Sequence, residues 1–148
     1  MFRTFLVVSG VLMFGLTAAA AQSCQDPIKA RQALMKKSGA AAKLGTAMAK
    51  GETSFDLGKT KEIFAAFSND AGEMPTLFPD CSKTGVDTTA APAIWDKPDD
   101  FKAAIAKFTA DIKAAEDNTK DLDTFKASFQ NVTKNCGSCH QVFRIRKS

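Results

Sequence analysis

A chain of 148 residues is long enough for one domain with a single buried core, and its 45% hydrophobic content suits a globular fold better than a disordered one. The formal charge of +4 arises from 20 Lys and Arg interspersed with 16 Asp and Glu, a mixed solvated surface that gives no support to nucleic-acid binding. With one His and four Cys in total, any metal chemistry must rest on very few ligands.

Residues 1–21 have the layout of a secretory signal: Arg3 in a short n-region, an apolar run from Phe5 to Leu16, then the small residues Ala18 to Ala21. Ala19 and Ala21 supply an A-x-A site, so cleavage is expected after Ala21, leaving residues 22–148 as the mature periplasmic domain. Ala21-Gln22-Ser23 lacks the leucine-small-small pattern that would make Cys24 a lipoprotein anchor. No later apolar run approaches the ~20 residues of a membrane helix, so no span is expected in the mature chain.

The remainder is predicted to be all-α, an antiparallel four-helix bundle, because four segments show helical spacing and none shows strand alternation. A first helix over residues 26–49 carries Leu34, Ala41, Leu44 and Met48 on one stripe, with Gly51 as its C-cap. The second, over 57–72, repeats Phe64, Phe67, Ala71 and Met74. A connection over 76–97 with Pro79, Gly85 and Pro92 follows, long enough to require packing of its own, and Trp95 is expected to pin it to the core. Pro98 and two aspartates then open a third helix with a seam of Phe101, Ile105, Phe108, Ile112 and Ala115. The fourth places Leu122, Phe125, Phe129, Val132, Cys136, Cys139 and Phe143 on its buried stripe. Asp121 and Asp123 are expected in its first turn and Arg144, Arg146 and Lys147 in its last, all favourable to the helix dipole.

Near the end of that helix stands Cys136-Gly137-Ser138-Cys139-His140, the C-x-x-C-H pattern of covalent haem attachment. The two thiols form thioethers with the haem vinyls and the adjacent histidine is the proximal iron ligand. On a helix the three side chains lie within about one turn and can face one haem edge. A thioredoxin-like pair would need a βαβ context, and a closed zinc site would need a second ligand pair; the chain offers neither. Cys24 and Cys81, the other two cysteines, are candidates for a structural disulfide between the start of the first helix and the long connection, with two free thiols as the alternative.

Because His140 is the one histidine, the sixth iron position is methionine, another weak ligand, or open. No Met follows His140, so a methionine ligand must come from Met35, Met48 or Met74. Antiparallel first and fourth helices bring Met35 level with the haem, while Met48, 13 residues further along, is about 20 Å away. Met74 also falls at the haem end, where a core role suits it. Met35 therefore ranks first.

With its C-x-x-C-H on the last helix of such a bundle, the chain resembles the class II cytochromes c, the cytochrome c′ family. Arg31-Gln32-Ala33-Leu34-Met35-Lys36, Leu77-Phe78-Pro79, and Ala93-Ile94-Trp95 followed by Pro98 and Phe101 carry the likeness beyond the haem motif. The resemblance implies that Arg31 lies near a haem propionate, Met35 occupies the distal position and Arg144 borders the proximal face. It further implies either a low-spin electron carrier with Met35 on the iron, working with redox partner proteins, or a five-coordinate binder of nitric oxide or carbon monoxide. Run against the two branches, Leu34-Met35-Lys36-Lys37-Ser38-Gly39, Leu44-Gly45 and Lys50-Gly51-Glu52 look closer to the low-spin one. No enzymatic role is expected, since a peroxide-processing site would need a distal acid–base group and the histidine is already used. Family members often pair through their first two helices, so a homodimer is also in prospect.

Overall fold

Each stripe read from the spacing forms a helix in the computed structural model, which describes residues 16–146, with side chains from Cys24 onward. Four long helices, α1 (Leu16–Ala49), α2 (Leu57–Glu73), α4 (Pro98–Asn118) and α5 (Leu122–Phe143), make the bundle, and a one-turn helix, α3 (Ala93–Asp96), lies in the connection before α4. Helix α1 packs on α2, α2 on α4, α4 on α5, and α5 closes back on α1. None of the described helices is long and apolar enough to cross a membrane.

The helix ends follow from local chemistry. Asp56 caps α2 by accepting from the Lys59 amide at 2.8 Å, and Asp121 caps α5 in a reciprocal box with Thr124. Pro98 occupies the first turn of α4, where its missing N–H costs nothing, with Asp99 and Asp100 beside it. Gly51 takes φ +77° just past α1, the left-handed position that glycine reaches without strain. Two boundaries differ from expectation. Helix α1 starts at Leu16 rather than near residue 26, because the alanines before Gln22 are strong helix formers and the helix continues through Pro27; residues 1–15 of the expected signal lie outside the described residues. Helix α5 stops at Phe143, so Arg144 and Arg146 are not in its last turn. Beyond it the chain is extended and pairs with the connection: the Ala91 amide donates to Phe143 O (3.0 Å) and the Ile145 amide to Thr89 O (2.8 Å).

Burial divides the apolar interior in two. One cluster, at the end where α1 meets α2, holds Met48, Ile63, Phe64, Phe67, Ile112, Phe125, Phe129 and Val132. The other, at the opposite end, holds Ile94, Phe101, Ile105 and Phe143, with Met74, Phe78, Trp95 and Cys139 packed on it. Trp95 pins the connection as expected, donating from Nε1 to Phe78 O at 3.0 Å. A run of edge-on rings then carries the contact inward, from Trp95 to Phe78, Phe101 and Phe143.

Candidate haem site

Helix α5 presents the motif in two directions. At about 100° per residue, Phe129, Cys136 and His140 (i, i+7, i+11) share one line to within about 20°, whereas Cys139 is turned toward Phe143 and α4. The direction of the first line is fixed by Gly45 of α1, where an added Cβ would lie 2.3 Å from the Phe129 ring. So Cys136 and His140 stand on the side of α5 that looks to α1. Cys139 packs instead against the second apolar cluster and borders an open cleft of about 250 Å³ walled by Ala104, Asn135, Val142 and Phe143.

The same contact sets the register. Ten residues back from Gly45 on α1 is Met35; ten residues on from Phe129 along α5 is Cys139. In antiparallel helices those steps match, so Met35 is level with Cys139 and His140. Met35 is half-buried there, and neither it nor Cys136 belongs to either apolar cluster. Met48 is a fully buried member of the first cluster and Met74 packs against the second, as core residues do.

Burial pushes the Cys136 and Cys139 thiols up, Cys139 further through its neighbour Cys136, so both are held as neutral thiols. His140 is exposed, yet partial desolvation and then the positive charge of Arg144 hold its imidazole below the usual 6.5. That favours the neutral ring, the form with a lone pair to give a metal. Among the described residues no three His, Cys, Asp or Glu side chains converge to hold an ion directly. The donor set suits attachment of a larger prosthetic group, and a closed zinc site has no place here.

Arg31 is more deeply committed than the sequence suggests. Its guanidinium, buried, donates to Leu77 O (3.0 Å), Ser82 Oγ (2.8 Å), Ser82 O (3.0 Å) and Thr88 Oγ1 (2.7 Å), and stacks 4.8 Å from the centre of the Phe78 ring. All those acceptors are neutral. Burial lowers its pKa, and a buried cation without a carboxylate favours an anionic group nearby, as a haem propionate is. Arg144 is exposed beyond the end of α5, near enough to His140 for its charge to act on the ring. Cys24 and Cys81 are free thiols brought near enough that Cys24 raises the pKa of Cys81.

One buried group went unnoticed in the sequence. Asp70 of α2 is buried and accepts from Ser38 Oγ, one turn along α1 from Met35. Desolvation raises its pKa, with Glu73 adding to the shift and Ser38 and Lys37 opposing it. The signal was an acidic residue three positions after Phe67, on the apolar stripe itself.

The fold and this donor set define a class II c-type cytochrome, an antiparallel bundle with its haem motif on the last helix. Comparison with known proteins agrees. The profile of the family described as Cytochrome C′ matches residues 26–144. A cytochrome c′ of Rhodopseudomonas palustris is 40% identical over 141 residues, 95% of either chain, and a cytochrome c-556 of the same organism is 36% identical over 151 residues, 99% of either chain. The solved structure of cytochrome c′ from Rhodopseudomonas palustris superposes with a TM-score of 0.80 at 42% identity, covering 83% of this chain and 98% of that one. The chain belongs to the cytochrome c′ family, whose members carry one covalently attached haem c.

Proposed function

We propose that this chain is a periplasmic electron-transfer cytochrome in which Cys136 and Cys139 hold the haem as thioethers, His140 ligates the iron on one side and Met35 on the other. The observation that carries the reading is the register fixed by Gly45 against Phe129, which sets Met35 level with His140 across the space between α1 and α5. The relatives named cytochrome c-556 fit the low-spin branch this implies. Bound there, the haem would supply a one-electron ferric/ferrous couple.

The protein's own part is to hold geometry constant while charge changes. Two thioethers and the His140 ring all spring from one helix, so their relative positions are rigid to the extent that α5 is. Met35 contributes a soft, neutral sulfur that favours the ferrous state and raises the potential. Arg31 holds the connection in place and offers its buried positive charge to a propionate, while desolvation, and after it Arg144, lowers the pKa of His140 and so favours its neutral form. The redox partners are other proteins, and a homodimer through α1 and α2 is part of the proposal.

A second reading is favoured by the 40% identity to a cytochrome c′. In it Met35 covers the iron without bonding it, and the open position takes nitric oxide or carbon monoxide. Optical spectra of the oxidised and reduced holoprotein, with and without carbon monoxide, decide between them. A low-spin spectrum indifferent to the gas, turning high-spin in Met35→Ala, is the expected result. A high-spin wild type that binds the gas readily would overturn Met35 ligation.

A further inference from the structure

Cys24, Ile28 and Arg31 (i, i+4, i+7) form one stripe along α1, and each faces the long connection. Arg31 grips Leu77 and Ser82 through its guanidinium. Ile28, buried, presses so closely on Gly85 that an added Cβ there would lie 2.5 Å from its Cδ1, with the Gln25 amide 3.5 Å away. Cys81 lies between those two contacts, in the 3-10 turn Asp80–Ser82, and its thiol is near enough to that of Cys24 for the two to interact. The separation of α1 from this turn is therefore set on either side of Cys81 by groups other than the thiols.

We propose that Cys24 and Cys81 are joined by a disulfide in the exported protein, a covalent clasp between the start of the mature chain and the connection that Arg31 holds. The inference rests on the periplasmic reading above, because an oxidising compartment is needed for the bond to persist. Both thiols lose their protons and one S–S bond forms; the two electrons pass to the disulfide of a thiol-oxidising protein, which leaves as a dithiol. Cys81 is exposed, so such a partner has access to it. Cys136 and Cys139 do not compete, since they sit on α5 and are taken up in thioethers.

The clasp answers a need that cleavage after Ala21 creates. Helix α1 then loses its first turns, and Cys24 becomes the third residue, in a turn whose amide donors have no helical partners. Such an end frays, and with it the stripe that supports Arg31. A bond at Cys24 holds that turn down and closes a loop of 57 residue steps, a length at which cross-linking strongly restricts the unfolded chain.

Holoprotein purified from the periplasm, unfolded without reductant and treated with a maleimide, tests this by intact mass and peptide mapping. The expected result is no labelled thiol, a mass two hydrogens below the dithiol form, and a single cross-linked peptide pair containing Cys24 and Cys81. The Cys24→Ser, Cys81→Ser double variant is expected to keep its haem and melt about 10 °C lower. Holoprotein labelled at both Cys24 and Cys81 overturns the clasp and leaves the periplasmic reading intact, because covalent haem itself reports export. A haem-free chain retained in the cytoplasm overturns both.

Discussion

Placing Met35 opposite His140 depends on the close approach of α1 and α5 at Gly45, which makes Gly45→Ala the sharpest test of the structure. The added methyl carbon would fall 2.3, 2.6 and 3.0 Å from three atoms of the Phe129 ring, well inside van der Waals contact. Phe129 has little room to yield, being buried and stacked 5.2 Å from Phe125, itself fully buried. Overpacking of this kind costs up to about 3 kcal/mol, while replacing a helical glycine by alanine returns about 1 kcal/mol, leaving a net loss of about 2 kcal/mol. With an unfolding entropy of about 2.1 cal/mol/K per residue over roughly 130 residues, that lowers Tm by about 7 °C. Gly39, on the same helix with nothing within 4 Å of an added Cβ, is the control: Gly39→Ala gains the propensity term alone and raises Tm by about 4 °C. Thermal unfolding of both holoproteins, followed by far-UV circular dichroism, reads the pair of values. If Met35 ligates as proposed, prying the helices apart at Gly45 would also draw it from the iron, so Gly45→Ala is expected to bind carbon monoxide more readily than wild type. If both alanine variants are stabilised equally, the close approach is absent and the register drawn from it fails.

Two further predictions concern buried charge. Arg31→Met keeps the bulk and the contact with Phe78 but strands the acceptors on Leu77, Ser82 and Thr88; a loss of about 2–3 kcal/mol in urea unfolding is expected, and an unchanged midpoint would show that the guanidinium is not what holds the connection. For Asp70 the sign follows from its raised pKa: the folded state holds the proton more tightly than the unfolded one, where the usual value is 3.8, so its burial costs nothing below that value and the penalty grows as pH rises through the folded pKa. Asp70→Asn should therefore match wild type in stability at about pH 3 and exceed it at about pH 7, and a gap that does not change with pH would refute the assignment.

The helices were legible because their stripes are long and regular, and the haem attachment because C-x-x-C-H on a helix has few other uses. Signals that depend on tertiary neighbours were not. The resemblance placed Arg31 near a haem propionate, and only the folded connection shows that Leu77, Ser82 and Thr88 curl round to accept from it. The end of α5 was misplaced because basic residues after Phe143 suit a helix C-terminus, whereas Thr89 and Ala91 offer them a strand-like pairing that no local pattern announces. Asp70 was passed over because a carboxylate on an apolar stripe contradicts the period that identifies the stripe.

These unanticipated features share one location, the end of the bundle where α1 starts, the connection crosses and α5 stops. Cys136, Cys139 and His140 are fixed by α5 alone, but Met35 belongs to α1, so the ligation proposed for it depends on how α1 is held against α5. Gly45 sets that spacing from one side. From the other it is set by Arg31 and Ile28, both acting through the connection, which in turn is tied to the end of α5 by the Ala91 and Ile145 amides. The connection thus touches both the helix that carries the attachment motif and the one that carries Met35, so under the proposed ligation a small shift of α1 along it would separate a methionine that bonds iron from one that merely covers it.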